Sequence, residues 1–224
     1  MLLSSSCAGC NQPGPVLCTR CRFALAAASS YVNDDGVRAV ARFHGLPKQL
    51  IVALKYKNRR PLARLLALHL IRRLRPTDID LVTWAPTGDR RIAHRGYDQA
   101  ELLARAVARE LGVPCRRLLY RTHGAAQTGQ SRQQRIGAVG FRSRGVRAGL
   151  RVLVVDDVVT TGATMLAARS ALLAAGVSDV QMVAIAAVPG AGTQRSIAPR
   201  NAPPHPHRSL HIASSWAESL PIGA

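Results

Sequence analysis

The chain has 224 residues, 47% hydrophobic and only 4% aromatic, enough for one α/β domain with an aliphatic core and a small appendage. Its formal charge of +19 comes from 31 Lys and Arg residues, of which only Lys48, Lys55 and Lys57 are lysine. That balance suits polyanionic partners or reflects a GC-rich coding bias, and it speaks to partners and not to fold. No stretch approaches the roughly 18 uninterrupted apolar residues of a membrane-spanning helix. The N-terminal MLLSSSCAGC lacks the basic start and apolar run of a secretory leader. The expectation is a cytoplasmic chain with no membrane insertion and with reduced cysteines.

Taken in order, the first feature is Cys7-x2-Cys10 followed by Cys18-x2-Cys21. A CxxC turn puts two thiolates on one side of a tight bend, and two such turns complete a tetrahedral four-sulfur site. Four thiolates leave no open coordination position, so residues 1–24 read as a knuckle held by structural zinc. Residues 24–30, rich in Ala and Ser, read as a connector, and 31–44 as strands or a hairpin. Residues 46–56 have helical spacing with Pro47 in the first turn, and 61–74 form a second amphipathic helix closed by Pro76. Residues 81–84 (LVTW) predict a buried strand ending at Ala85-Pro86. Residues 98–111 (DQAELLARAVAREL) predict a helix with Asp98 as N-cap and Gly112 as its stop. A weak strand at 117–120 precedes the polar segment 123–140, whose length and glycines suggest a lid or a disordered stretch. A helix over 163–175 and a last strand over 180–188 complete the domain, placed at 25–188. Residues 189–224, rich in Pro, Gly, Ser and His, read as a disordered tail containing His205, His207 and His211.

The stretch 152–164, VLVVDDVVTTGAT, carries the most chemistry. Its four leading apolar residues predict a central parallel strand covered on both faces. Ligands of open α/β sheets sit beyond the carboxyl ends of such strands, so Asp156 and Asp157 are expected at the rim of a cleft. Two adjacent carboxylates suit the vicinal hydroxyls of a ribose. Thr160, Thr161 and Thr164 offer hydroxyl donors, Gly162 permits close backbone approach, and the N–H groups from Ala163 onward open a helix whose dipole favours a phosphate. Two rival motifs fail. Residues 124–131 have P-loop glycine spacing, but Gln130 stands where the lysine belongs. A receiver domain would need a later lysine, and none follows Lys57.

Residues 152–164 resemble the 5-phosphoribosyl-1-pyrophosphate (PRPP) motif of type I phosphoribosyltransferases. Further segments resemble the ComF family, a late-competence group that joins a cysteine knuckle to such a domain. They are Lys55-Tyr56-Lys57, Pro86 with Arg90 and Arg91, the run Arg95-Gly96-Tyr97-Asp98-Gln99-Ala100, and Gln127, Arg135 and Phe141. Asp98 stands where the family usually has asparagine, and Ala138 replaces another, which weakens the parallel in the lid. The resemblance implies an open, mostly parallel sheet flanked by helices, with a zinc-ribbon-like N-terminal element. It implies PRPP, carried with Mg²⁺, as ligand. Asp156 and Asp157 would act on the ribose as the catalytic pair, residues 160–164 on the 5′-phosphate, and Arg90, Arg91, Arg95, Gln127 and Arg135 on the pyrophosphate and lid. It leaves open whether the chain transfers a phosphoribosyl group to some acceptor. The alternative is an accessory protein of DNA uptake or processing that senses PRPP or a nucleotide, or binds single-stranded DNA.

Overall fold

The computed structural model describes residues 6–122, 140–188 and 195–197. Its elements run α1 (Thr19–Ala26), β1 (Ser30–Val32), β2 (Arg38–Arg42), α2 (Gly45–Tyr56), α3 (Leu62–Leu74), β3 (Leu81–Trp84), α4 (Asp89–Arg95), α5 (Gln99–Leu111), β4 (Leu119–Thr122), β5 (Gly140–Ser143), β6 (Arg151–Val159), α6 (Ala163–Ala174), β7 (Asp179–Ala187) and β8 (Arg195–Ile197).

Six strands form one sheet in the order β3-β6-β7-β2-β1-β8. The pairs β3–β6, β6–β7 and β7–β2 are parallel, while β1 runs antiparallel to both β2 and β8. Parallel strands must be covered on both faces, and side-chain alternation along β6 shows how. Leu153 and Val155 enter one core with α2, α3 and α5. Val152 and Val154 enter a second core with Met165, Ala168 and Leu172 of α6. The β4–β5 hairpin, with Leu119 opposite Ser143, forms a separate two-stranded sheet against that second core.

The helix over 98–111 and its cap are as expected. Asp98 accepts a hydrogen bond from the Ala100 N–H at 3.0 Å, and Gly112, at φ 70°, closes the helix in the left-handed conformation. Other expectations need correction. Residues 24–30 are not all connector, because α1 runs to Ala26 from a Cys18 N-cap. The basic residues after β3 sit on a short helix absent from the predicted elements: α4 follows a Gly88 N-cap and ends at a Gly96 cap at φ 74°. With only Ile92 and Ala93 apolar among seven residues there is no apolar period, so this helix left no trace in the sequence pattern. The strand expected at 117–120 lies at Leu119–Thr122 and has an unanticipated partner, β5. Arg195–Ile197, inside the segment read as tail, pairs with β1.

The cysteine element shares its core with the larger domain. Cys7, Leu17, Cys21 and Leu25 lie in the same buried cluster as Leu50, Leu54 and Leu66. Gly9 sits so close to α2 that a Cβ there would lie 2.5 Å from Leu46 Cδ1 and 2.8 Å from Cys21 Sγ. Among the described residues no helix is long and apolar enough to cross a membrane.

Candidate active site and metal centre

The sulfur atoms of Cys7, Cys10, Cys18 and Cys21 all lie within 4.8 Å of one another, the spacing four ligands need around one small ion. Cys7 and Cys21 are buried, Cys18 is half-buried and Cys10 exposed. Burial pushes the Cys7 thiol up, but backbone N–H groups, that of Cys18 among them, outweigh it and draw the thiol down to about 6. Burial and the neighbouring sulfurs push Cys21 up to about 12. Four thiols this close cannot all ionise unless a cation neutralises them, and the donor set fits zinc.

The second site gathers at the carboxyl ends of β3 and β6. β6 does not stop at the acidic pair as expected. It continues to Val159, because β7 offers an apolar partner all along: Asp156 faces Ala184, Val158 faces Ala186 and Val159 faces Ala187. Both aspartates therefore lie within the strand, and successive side chains point to opposite faces. Asp157 follows Leu153 and Val155 onto the α2–α5 face, where it is 3% exposed and its Oδ1 meets Lys55 Nζ at 2.9 Å. Its Oδ2 is buried without a hydrogen-bond partner among the described residues. Asp156 is half-buried and takes the Asp157 N–H on its Oδ1 at 2.7 Å. Burial, and then the neighbouring Asp157 carboxylate, pushes the Asp156 carboxyl well above the ordinary range. Burial also raises Asp157, with the Lys55 ammonium pulling in the opposite direction.

The Pro86–Thr87 corner and α5 are tied together by Asp98. Its Oδ2 accepts the Thr87 N–H at 2.9 Å and its Oδ1 the Thr87 hydroxyl at 3.1 Å. Gln99 donates to the same hydroxyl at 3.1 Å and accepts from Arg95 at 2.9 Å. Arg95 also reaches the Tyr56 hydroxyl at 2.9 Å and stacks on that ring, 4.7 Å from its centroid. Arg95 thus stands on the Asp157 side and contributes to that carboxyl's electrostatics. Arg121 of β4 was not foreseen. It donates to the Pro86 carbonyl at 2.8 Å, and burial, followed by repulsion from Arg91, lowers its pKa while Asp156, Asp98 and Asp89 raise it. Its position one residue past the expected strand end gave no signal, whereas Lys55 and Gln99 both lay in segments already singled out. Arg91 is exposed on α4, and nothing is described of the Arg90 side chain. Gln127 and Arg135 lie outside the described residues, as do His205, His207 and His211.

The turn between β6 and α6 has the expected conformation. Gly162 takes φ 83° and precedes α6, while Thr160, Thr161 and Ala163 are exposed and Thr164 is half-buried. The Thr161 hydroxyl accepts the Ala163 N–H at 3.4 Å. The turn faces the β1–β2 loop, where a Cβ on Gly162 would lie 2.8 Å from Asp35 Oδ2 and 3.1 Å from Asn33 Nδ2. Within that loop Asn33 caps the turn through the Val37 N–H at 2.8 Å.

Residues 97–201 match the phosphoribosyl transferase domain family. The DNA utilization protein YhgH of Escherichia coli O6:H1 is 30% identical over 149 residues, covering 59% of this chain and 63% of that protein. The competence protein ComFC of Streptococcus pneumoniae is 33% identical over 98 residues, covering 43% of each. The chain thus matches less than two thirds of the length of these relatives. Among solved structures, an adenine phosphoribosyltransferase aligns at TM-score 0.41 and 16% identity over 75% of this chain and 90% of its own. The orotate phosphoribosyltransferase of Aeropyrum pernix aligns at 0.38 and 20% over 76% and 82%. With β6, its turn and α6 inside the matched region, the chain joins a segment similar to phosphoribosyl transferase domains to a four-cysteine N-terminal cluster, and it resembles relatives named for competence and DNA utilization.

Proposed function

We propose that the chain binds PRPP at the β6–α6 junction and transfers its phosphoribosyl group to an acceptor. The observation that carries the reading is the placement of a half-buried carboxylate, Asp156, in the strand that leads straight into a left-handed glycine and a helix N-terminus. The helix N–H groups and the hydroxyls of Thr160, Thr161 and Thr164 take the 5′-phosphate. Asp156 takes the ribose hydroxyls. Asp157, on the opposite face, holds Lys55 and orders α2 behind the sugar. Arg91, Arg95 and Arg121 supply positive charge for the pyrophosphate that leaves from C1.

Magnesium fits this arrangement in a specific way. No carboxylate cage exists among the described residues, since the cysteines form the only clustered donor set there. Mg²⁺ is commonly held by one or two carboxylates together with substrate phosphates, so it would arrive with PRPP and rest on Asp156. Bound there, it would offset charge on the departing pyrophosphate. Calorimetric titration with PRPP tests the reading. Loss of one charge-assisted hydrogen bond is worth about 1.5–3 kcal/mol, so Asp156→Asn should weaken binding by roughly ten- to a hundredfold. Undiminished affinity in the Asp156→Asn, Asp157→Asn double variant removes the sugar assignment.

A second reading rests on the β4–β5 hairpin. Arg117, Arg142 and Arg144 surround the Tyr120 ring at 4.8, 5.6 and 5.7 Å from its centroid. A half-buried aromatic ringed by guanidinium groups suits the stacked bases and phosphates of single-stranded nucleic acid, in keeping with the DNA-related names of the relatives. Affinity for a single-stranded oligonucleotide should then fall steeply with salt, and no binding at low salt ends that reading. Cytoplasmic residence is part of the proposal, since reduced thiols are what a zinc knuckle requires.

A further inference from the structure

Far from the sugar site, α1 and α3 enclose an open groove of about 560 Å³. Its floor and walls are apolar, with Leu65 and Leu68 from α3 and Phe23 from α1. Phe23 is 72% exposed, the largest exposure of any large hydrophobic residue described. An aromatic ring left in water at the lip of an apolar trough is a surface that association would bury. The charges around it have one sign. Arg22, Arg72 and Arg73 line the groove, and none of its lining residues is acidic.

A second observation points the same way. Only three buried side-chain polar atoms lack a hydrogen-bond partner among the described residues. One is Asp157 Oδ2 in the sugar site. The other two, His69 Nε2 and Arg73 Nε, belong to residues that line this groove. Arg73 spends one amino group on the Ala28 carbonyl at 2.8 Å, which leaves its Nε–H without an acceptor. His69 is held neutral by burial and by its two arginine neighbours, Arg73 and Arg72, which draw its pKa down to about 4. Buried polar atoms are costly to leave unpaired: the Arg73 Nε–H needs an acceptor, and neutral His69 can present Nε2 as either donor or acceptor.

We infer that the α1–α3 groove docks a short acidic peptide segment of a partner protein, with an apolar side chain seated between Phe23 and Leu68 and its carboxylates on Arg22, Arg72 and Arg73. Polypeptide suits the groove better than nucleic acid. A nucleic acid would engage the arginines, but its phosphates have nothing to place against the leucine floor. At 13 residues α3 is about 20 Å long, room for a peptide of two to three helical turns. The surface lies where the cysteine element meets the larger domain, so it exists only when both are folded together.

The test is a selection of random 12-residue peptides on the full-length zinc-loaded protein. Survivors are then assayed as labelled synthetic peptides by fluorescence anisotropy. The expected consensus pairs one or two large apolar residues with Asp or Glu. Phe23→Ala and Arg72→Glu, both at exposed positions, should each weaken such a peptide at least tenfold while leaving zinc content and PRPP affinity unchanged. The inference is overturned if no acidic consensus emerges, or if selected peptides bind both variants as well as the unaltered protein. It is equally overturned if a single-stranded oligonucleotide displaces the peptides and loses affinity with Phe23→Ala. If binding emerges only after residues 198–224 are removed, the occupant is the chain's own tail and a partner is ruled out.

Discussion

Lys55→Met isolates the ion pair that links α2 to the central strand. Methionine keeps most of the stem of Lys55, so packing is nearly preserved and the change is chiefly electrostatic. At 2.9 Å, with an effective dielectric of about 20, the Lys55–Asp157 attraction is worth roughly 6 kcal/mol before desolvation is counted. The side chains are 18% and 5% exposed, so solvent screens the pair little. Removing one partner of a buried pair usually costs about 3–5 kcal/mol because the remaining charge is stranded, and Asp157 Oδ2 already lacks a partner. A loss of about 3–5 kcal/mol at pH 7 is therefore expected, a large share of the roughly 5–15 kcal/mol that stabilises a typical domain.

The pH dependence has a fixed sign. Burial has raised the Asp157 carboxyl above its unfolded value, and without the lysine it rises further. The folded variant then holds a proton more tightly than the unfolded chain, so its stability falls as pH rises toward the folded pKa and recovers on acidification. The deficit against the unaltered protein should narrow as the pH is lowered from neutrality toward the ordinary carboxylate range, measured by urea midpoints at unchanged slope. A deficit below about 1 kcal/mol, or one independent of pH, would refute a buried Lys55–Asp157 pair.

Three further outcomes are expected. Gly9→Ala places a methyl 2.5 Å from Leu46 Cδ1 and 2.8 Å from Cys21 Sγ. It should cost about 1–3 kcal/mol and speed zinc release to a chromophoric chelator, with Leu46→Ala in the same chain restoring part of the loss. Gly162→Ala combines a φ of 83° with a 2.8 Å approach to Asp35 Oδ2. A cost of about 1–2 kcal/mol in thermal unfolding should accompany weaker PRPP binding in calorimetry. Asp98→Asn keeps an acceptor for the Ala100 N–H but turns an amide donor toward the Thr87 N–H, now bound at 2.9 Å. A loss of about 1–3 kcal/mol in urea melts follows, even though asparagine is the residue the ComF resemblance leads one to expect there.

Much of the architecture was legible where one physical signal dominated. The period of 98–111 and its Asp98 and Gly112 caps marked α5, and the apolar run at 152–155 marked the buried strand between two cores. The Cys spacing alone announced a four-sulfur cluster, which the structure closes to within 4.8 Å. What stayed hidden depended on distant partners. The continuation of β6 past its acidic pair is imposed by the alanines of β7, more than twenty residues later in the chain. The short helix α4 has too few apolar residues to show a period, and β5 has meaning only through its pairing with β4. Lys55 could be noticed as one of three lysines, but its contact with Asp157 is a property of the fold.

That continuation of β6 changes what two adjacent aspartates can do. In an extended strand neighbours must point to opposite faces, so the pair divides into one carboxylate bound to Lys55 and one on the face that α6 covers. Neutralising each should therefore move stability by different amounts. Asp156 carries a carboxyl raised by burial and by Asp157, so above its folded pKa its charge is a standing penalty on the unliganded fold. Asp156→Asn removes that penalty and should raise the urea midpoint at pH 8 while weakening PRPP binding. Asp157→Asn also removes a carboxylate that burial has raised, but it leaves the Lys55 ammonium mostly buried with no counter-charge at 2.9 Å, so its midpoint at the same pH should rise less than that of Asp156→Asn. If the two substitutions shift the midpoint equally, the division of labour between the two faces is wrong, and a single acidic rim acting as one unit returns as the better account.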